Sequence, residues 1–155
     1  MATILTKDEA FALLKKVLSY SKADECEANL TGADNGNIRY ARNAVSTSGR
    51  ISQKGLVVAS AYGKKLGIAT INELDDASLE KVVRRSEELA QLAPENPEYV
   101  PFLGPQNYGE SKTFVHATAA ITPKQRADLV EQSLAVAKKN KAVAAGFLED
   151  TAGFA

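Results

Sequence analysis

Hydrophobic positions along this chain fall into three stripes of helical period with stretches of period two between them. Ala10, Leu13, Leu14, Val17 and Leu18 recur at i, i+3, i+4, i+7 and i+8, the buried face of a first helix, with Lys15 and Lys16 on its solvent side. Thr6 and Glu9 have capping-box spacing, so each side chain can satisfy an orphan amide at the helix start. The helix should end between Ser19 and Lys22, because Asp24 to Leu30 then alternates. Cys26, Ala28 and Leu30 share one face, and Glu25, Glu27 and Asn29 the other, as in a half-buried strand.

The next stretch reads as strands divided by turns. GADNGN, Gly32 to Asn37, is dense in residues that tolerate positive φ, and Asn35-Gly36 predicts a hairpin leading into a second strand, Ile38 to Ala44. The small polar run Ser46 to Ser48 predicts another turn. From Arg50 to Tyr62 the chain is extended, and Leu56, Val57, Val58, Ala59 and Ala61 are those of a central strand covered on both faces. Gly63-Lys64-Lys65 turns the chain, and Leu66 to Ile71 returns as a further strand.

Near Asp75 the period switches from two to 3.6. Asp75 or Asp76 caps a second helix to about Leu92, with Leu79, Val82, Val83, Ala90 and Ala93 inside and Glu80, Lys81, Arg84, Arg85, Glu87 and Glu88 mostly outside. Residues 94–112 form a proline-rich crossing loop whose aromatics, Tyr99, Phe102 and Tyr108, argue against a free linker. Thr113 to Ala117 has strand character. Thr122, Pro123 and Gln125 open a third helix to about Asn140, with Ala127, Val130, Leu134 and Ala137 on one face and Lys138, Lys139 and Lys141 complementing its C-terminal dipole. Val143 to Leu148 reads as a last strand and Gly153 as a turn signal. The fold class is α+β, a mainly antiparallel sheet with about three amphipathic helices. A helix, a Lys-Ala step and a strand occur twice, which fits either an internal α-β duplication or an ordinary echo within such a domain.

Composition narrows the function. At 155 residues, 1–155 fits a single domain with a core of ordinary size. Nineteen Lys and Arg balance nineteen Asp and Glu, giving no global field toward nucleic acid or an anionic membrane, so neither is expected as a partner. The single cysteine, Cys26, excludes an internal disulfide and a CxxC pair, and points to a reducing, cytoplasmic setting. Charge at Lys7, Asp8 and Glu9 interrupts any signal-like apolar run, and no window is apolar enough to span a membrane.

No catalytic constellation emerges. His116 is the only histidine, reads as a strand-edge residue, and has no motif linking it to Cys26 or to a serine. With one histidine and one cysteine the chain offers no zinc set. The carboxylate neighbours Asp24-Glu25-Glu27, Glu87-Glu88 and Glu149-Asp150 read as wet surface. Gly63-Lys64-Lys65-Leu66-Gly67 lacks phosphate-loop spacing and leads into a strand. The binding candidates are Arg39, Tyr40, Arg42 and Asn43, whose forks and amide could grip a carboxylate or an extended peptide. Alternation places Tyr40 with Arg42 and Arg39 with Asn43, and a solvated charged face is the competing explanation.

The order of IRYARNAVSTSG, GLVVASAYGKKLGIATINELD and EKVVRRSEELAQLAPENPEY, after the early helix and the Glu27-containing strand, resembles the N-terminal domain of the TldD/PmbA family. Members are called modulators of DNA gyrase and regarded as zinc metallopeptidases. The resemblance runs from about residue 7 to 149. It implies a longer cytosolic protein whose second half carries an HExxxH motif and a cysteine ligand; neither has a counterpart here, so no catalytic or metal residue is carried over. It further implies an accessory role, enclosing a peptide cleft and pairing with an identical or related subunit, with zinc held in a C-terminal part absent from this sequence. The alternative is a stand-alone module that binds a peptide or partner strand at its sheet edge.

Overall fold

A computed structural model describes residues 4–107, 109 and 111–155 of the protein; Tyr108, one of the loop aromatics above, lies outside them. The elements are α1 Lys7–Tyr20, β1 Glu25–Ala41, β2 Ala44–Tyr62, β3 Lys65–Ile71, α2 Asp76–Leu92, α3 His116–Ala119, α4 Pro123–Lys139 and β4 Gly146–Phe154. The strands form one sheet in the order β3-β2-β1-β4. β2 and β3 pair antiparallel, Leu56 opposite Ile71 and Tyr62 opposite Lys65. The α+β class holds, with one short helix beyond the three expected.

The chain divides into two compact units. The α1/α2 unit comprises Leu5–Gly32, Gln53–Ser111 and Phe154–Ala155; the α4 unit comprises Ala33–Ser52 and Lys112–Gly153, with Ile4. β1 and β2 each contribute one half to either unit.

In the α1/α2 unit, Thr6 and Glu9 form the expected reciprocal cap, and Asp75 caps α2 by accepting from the Ser78 amide. Val17, Leu30, Leu56, Val58, Leu79, Val82 and Val83 make the core. Each side chain of this kind contributes about 1.5–3 kcal/mol when fully buried. Val57, in contrast, is 37% exposed, so β2 is covered on both faces only from Val58 to Ala61. The α2 helix lies close on β3 because small residues line the contact. A Cβ on Gly67 would stand 2.1 Å from the Ala90 amide nitrogen and 2.2 Å from the Ser86 carbonyl oxygen. Ser60 and Ser86, both fully buried, satisfy each other at 2.7 Å.

Glu87 is not on the solvent side of α2. It is 5% exposed and accepts from the Lys22 amide, the Ser21 hydroxyl and Arg84, while Arg84 also donates to the Tyr20 carbonyl at 2.7 Å. This carboxylate-guanidinium pair ties down the end of α1, where the chain leaves the helix with unpaired backbone groups. The crossing loop is likewise tied: the Asn96 amide donates to the Lys64 carbonyl, the Phe102 amide to Glu25, and Tyr99 packs on Phe102.

In the α4 unit, Thr122 and Gln125 form the second capping box, and Val130, Leu134, Ala127, Ile38, Tyr40, Ala144 and Leu148 pack together. Here the sequence misleads in several places. The hairpin expected at Asn35-Gly36 does not form; β1 runs through it with unbroken alternation, Asp34, Gly36 and Ile38 all facing inward. Gly36 is a packing glycine, since a Cβ there would meet the Arg126 guanidinium at 2.1 Å. The chain reverses instead at Arg42-Asn43, whose φ of 51° and 61° are those of a two-residue hairpin turn. Ser46 to Ser48 is strand rather than turn, its hydroxyls donating to the Arg39 and Asn37 carbonyls. Thr113 to Ala117 is not a strand: Val115 precedes the short helix α3, and His116 is its first residue, edge-on to Phe114. The last strand starts at Gly146 rather than Val143, and Gly153 lies within it.

Candidate functional site

The four binding candidates sit at and beside the β1-β2 turn, all in the α4 unit. Arg39 is exposed, its guanidinium 5.2 Å from the centre of the Phe147 ring. Tyr40 points the other way and joins the Ile38-Val130-Leu134 cluster. Its phenol needs Gly146: a Cβ there would lie 2.3 Å from the tyrosine oxygen. Arg42 is exposed at the first turn position. Asn43, the second, acts as a backbone mimic. Its amide nitrogen donates to the Ala142 carbonyl at 2.9 Å, its side-chain oxygen accepts from the Ala144 amide at 2.7 Å, and its own N–H donates to Ala144.

The expected two-by-two division of these residues is therefore replaced. Positive φ at both turn positions breaks the alternation, so Tyr40 and Asn43 hold structure, on a core face and a chain segment respectively. Arg39 and Arg42 keep their charges in solvent. Phe147, 49% exposed under Arg39, is the residue that sequence reasoning missed: the strand expected from Val143 to Leu148 contains it, but nothing in the sequence pairs that strand with β1.

A second polar assembly was also missed. Asp34, 7% exposed, accepts from Arg50 Nε at 2.7 Å and from Ser52 at 2.8 Å, and the Arg50 guanidinium beside it holds its carboxyl below the ordinary value. Arg126, 1% exposed, donates to Asp150 at 2.6 Å. Asp150 is thus not wet surface as read from the sequence; it shares the inward parity of Leu148. The signal for Arg126 was its spacing, four residues before Val130 and eight before Leu134 on the inner stripe of α4. Both pairs join elements within the α4 unit, Asp34 of β1 to Arg50 of β2 and Arg126 of α4 to Asp150 of β4.

Elsewhere the chemistry stays sparse. Between β2 and β3, Gly63 has φ of 56° and its amide donates to the Asp24 carboxylate at 2.9 Å, so the turn that superficially suggests a phosphate loop already holds an anion of its own. In the α1/α2 unit an apolar recess of about 250 Å³ is lined by Leu5, Ala10, Phe11, Leu14, Leu30 and Phe154, with Lys7 as its charged side chain. Among the described residues no three of His, Cys, Asp and Glu come together as metal ligands, and no helix is long and apolar enough to cross a membrane. Cys26 packs against the α1/α2 core, and His116 meets Phe114 edge-on.

Residues 26–90 match the family model described as PmbA/TldA metallopeptidase domain 1. That segment is similar to the first domain of the PmbA/TldD family. The matched segment runs from β1 through the turn to the last turns of α2, and includes Arg39, Tyr40, Arg42 and Asn43. The fold is shared with TldE from Thermococcus kodakarensis, with a TM-score of 0.75 and 14% identity over 93% of this chain and 37% of that one. It is shared too with a candidate modulator of a DNA gyrase from Thermotoga maritima (0.61, 17% identity, 95% and 37% covered). A third, from Bacteroides thetaiotaomicron, is also described as a candidate modulator of DNA gyrase (0.67, 14%, 94% and 39%). The chain thus spans less than two-fifths of the length of these three structures. No curated protein sequence matches it.

Proposed function

We propose that this chain is the accessory first domain of a TldD/PmbA-like zinc metallopeptidase, helping to enclose a peptide cleft and to pair subunits in a homodimer or heterodimer. The observation that carries this reading is the family match over residues 26–90, a segment in which no three of His, Cys, Asp and Glu come together as metal ligands. In that reaction zinc, supplied by a partner segment bearing HExxxH, would activate water for peptide hydrolysis. The part of this chain is the shape of the β1-β2 hairpin and the charges of Arg39 and Arg42, which offer carboxylate-directed donors to a peptide. A cytoplasmic setting accords with the lone thiol of Cys26.

The reading is tested by co-purifying the chain with a TldD/PmbA-like segment that carries HExxxH and measuring peptide hydrolysis by the mixture. Stable association and zinc-dependent turnover greater than that of the HExxxH segment alone are expected. No association, with unchanged turnover, would contradict it.

A further inference from the structure

The neutral total charge hides a division. The α4 unit holds nine Lys and Arg against five Asp and Glu, and the α1/α2 unit holds ten against fourteen. Part of the excess in the α4 unit gathers where the Asn43 clamp brings the hairpin turn onto residues 142–144, directly after α4. Arg39 and Arg42 come from the hairpin, Lys138, Lys139 and Lys141 from the end of the helix, and all five are exposed. Among the described residues none of the five forms an ion pair, although Lys124 of the same helix pairs with Asp128.

Two of these cations occupy positions that backbone physics assigns to other residues. Helix α4 ends in a Schellman arrangement, the Ala142 amide donating to the Ala137 carbonyl and the Lys141 amide to that of Lys138. Its left-handed position, normally glycine, is Lys141 at φ 53°. The first left-handed turn position, which favours Asn, Asp or Gly, is Arg42. Arg42, Asn43 and Lys141 are the non-glycine residues of positive φ among the described residues, and all lie here. Exposed apolar side chains lie on the same segments: Val45 and Phe147, the latter against Arg39, are each 49% exposed and Val143 is 77% exposed.

From this juxtaposition we infer that the turn end of the α4 unit is a docking surface for an acidic polypeptide segment with apolar residues between its carboxylates. Free guanidinium and ammonium groups recognise the carboxylates, and Phe147, Val143 and Val45 receive the side chains between them. A nucleic acid is the poorer match, because only five cations gather here and the chain as a whole supplies no attracting field. The inference rests on the peptide-positioning role proposed above for Arg39 and Arg42 and extends it to Lys138, Lys139 and Lys141; its failure is distinguishable from that of the peptidase reading, because binding is read on this 155-residue chain alone, with no zinc and no hydrolysis.

The test is fluorescence anisotropy with a labelled peptide alternating Glu and Leu, the same peptide with Gln for Glu, and a single-stranded oligonucleotide. The Glu peptide should bind at least about tenfold more tightly than the Gln peptide, a difference of about 1.4 kcal/mol, and weaken as salt rises. Lys138→Gln/Lys139→Gln/Lys141→Gly should lose about tenfold in affinity, while Lys124→Gln binds as the parent does. Lys141→Gly alone, which relieves a left-handed lysine, keeps the fold and should still lose part of the affinity. Equal binding of the Glu and Gln peptides, full affinity in the lysine variants, or preference for the oligonucleotide would overturn the inference.

Discussion

At the residue scale the decisive features are buried charges on the inward face of β1 and β4. Arg126 lies in the core of the α4 unit with its positive charge matched by Asp150 and its guanidinium seated over Gly36. Removing the carboxylate strands that charge, so Asp150→Ala should destabilise the protein by about 3–5 kcal/mol, measured as a shift of the urea midpoint at unchanged slope. Asp34 has a pH signature of its own. Its folded-state pKa is lowered by Arg50, so its stabilisation is present above the unfolded value of about 3.9 and is lost as pH falls through the lower folded value. Asp34→Asn should therefore flatten the acid limb of the stability profile below about pH 4, as read from denaturation series at successive pH values. These residues were legible only in part. Cys26, Ala28 and Leu30 announce the inward parity of β1, but Gly32 to Asn37 carries turn-forming types for packing reasons, and composition alone does not separate a turn from a strand that must admit an arginine.

At the scale of elements, helices were the best-read parts, because caps and stripes are local. Thr6 with Glu9 and Thr122 with Gln125 fix both helix starts, and the Asp75 cap fixes a third. Strand ends depended on partners distant in sequence. The reversal falls at Arg42-Asn43 because Asn43 finds Ala142 and Ala144 about a hundred residues on, which no window shows. Two substitutions test the contacts between elements. Gly67→Ala puts a methyl group into the backbone of α2, and neither Ser86 nor Ala90 can retreat without moving the helix; a loss of about 3 kcal/mol or more is expected in thermal unfolding. Lys141→Gly should do the opposite and raise stability by about 0.4–1 kcal/mol, because glycine accepts the left-handed conformation without a Cβ penalty. Of the candidate site, Arg39 and Arg42 were found through their residue types. Phe147 beneath Arg39 was not, because the pairing of β4 with β1 joins residues about a hundred positions apart.

At the scale of the whole molecule, the chain is a scaffold of two units with a segregated charge distribution and no catalytic constellation among its described residues. Ordered helices, a long hairpin and a tied crossing loop hold surfaces in place, as the accessory role proposed above requires. Helix caps and the antiparallel pattern were visible in the sequence at this level, as was the shortage of nitrogen and sulfur donors, with one histidine and one cysteine in the chain. The most direct test of the accessory role is peptide hydrolysis by the purified 155-residue chain, assayed with added zinc and again after chelation. The account predicts no turnover above buffer in either condition. Zinc-dependent cleavage that disappears on chelation would contradict it, because the metal site would then lie within this chain.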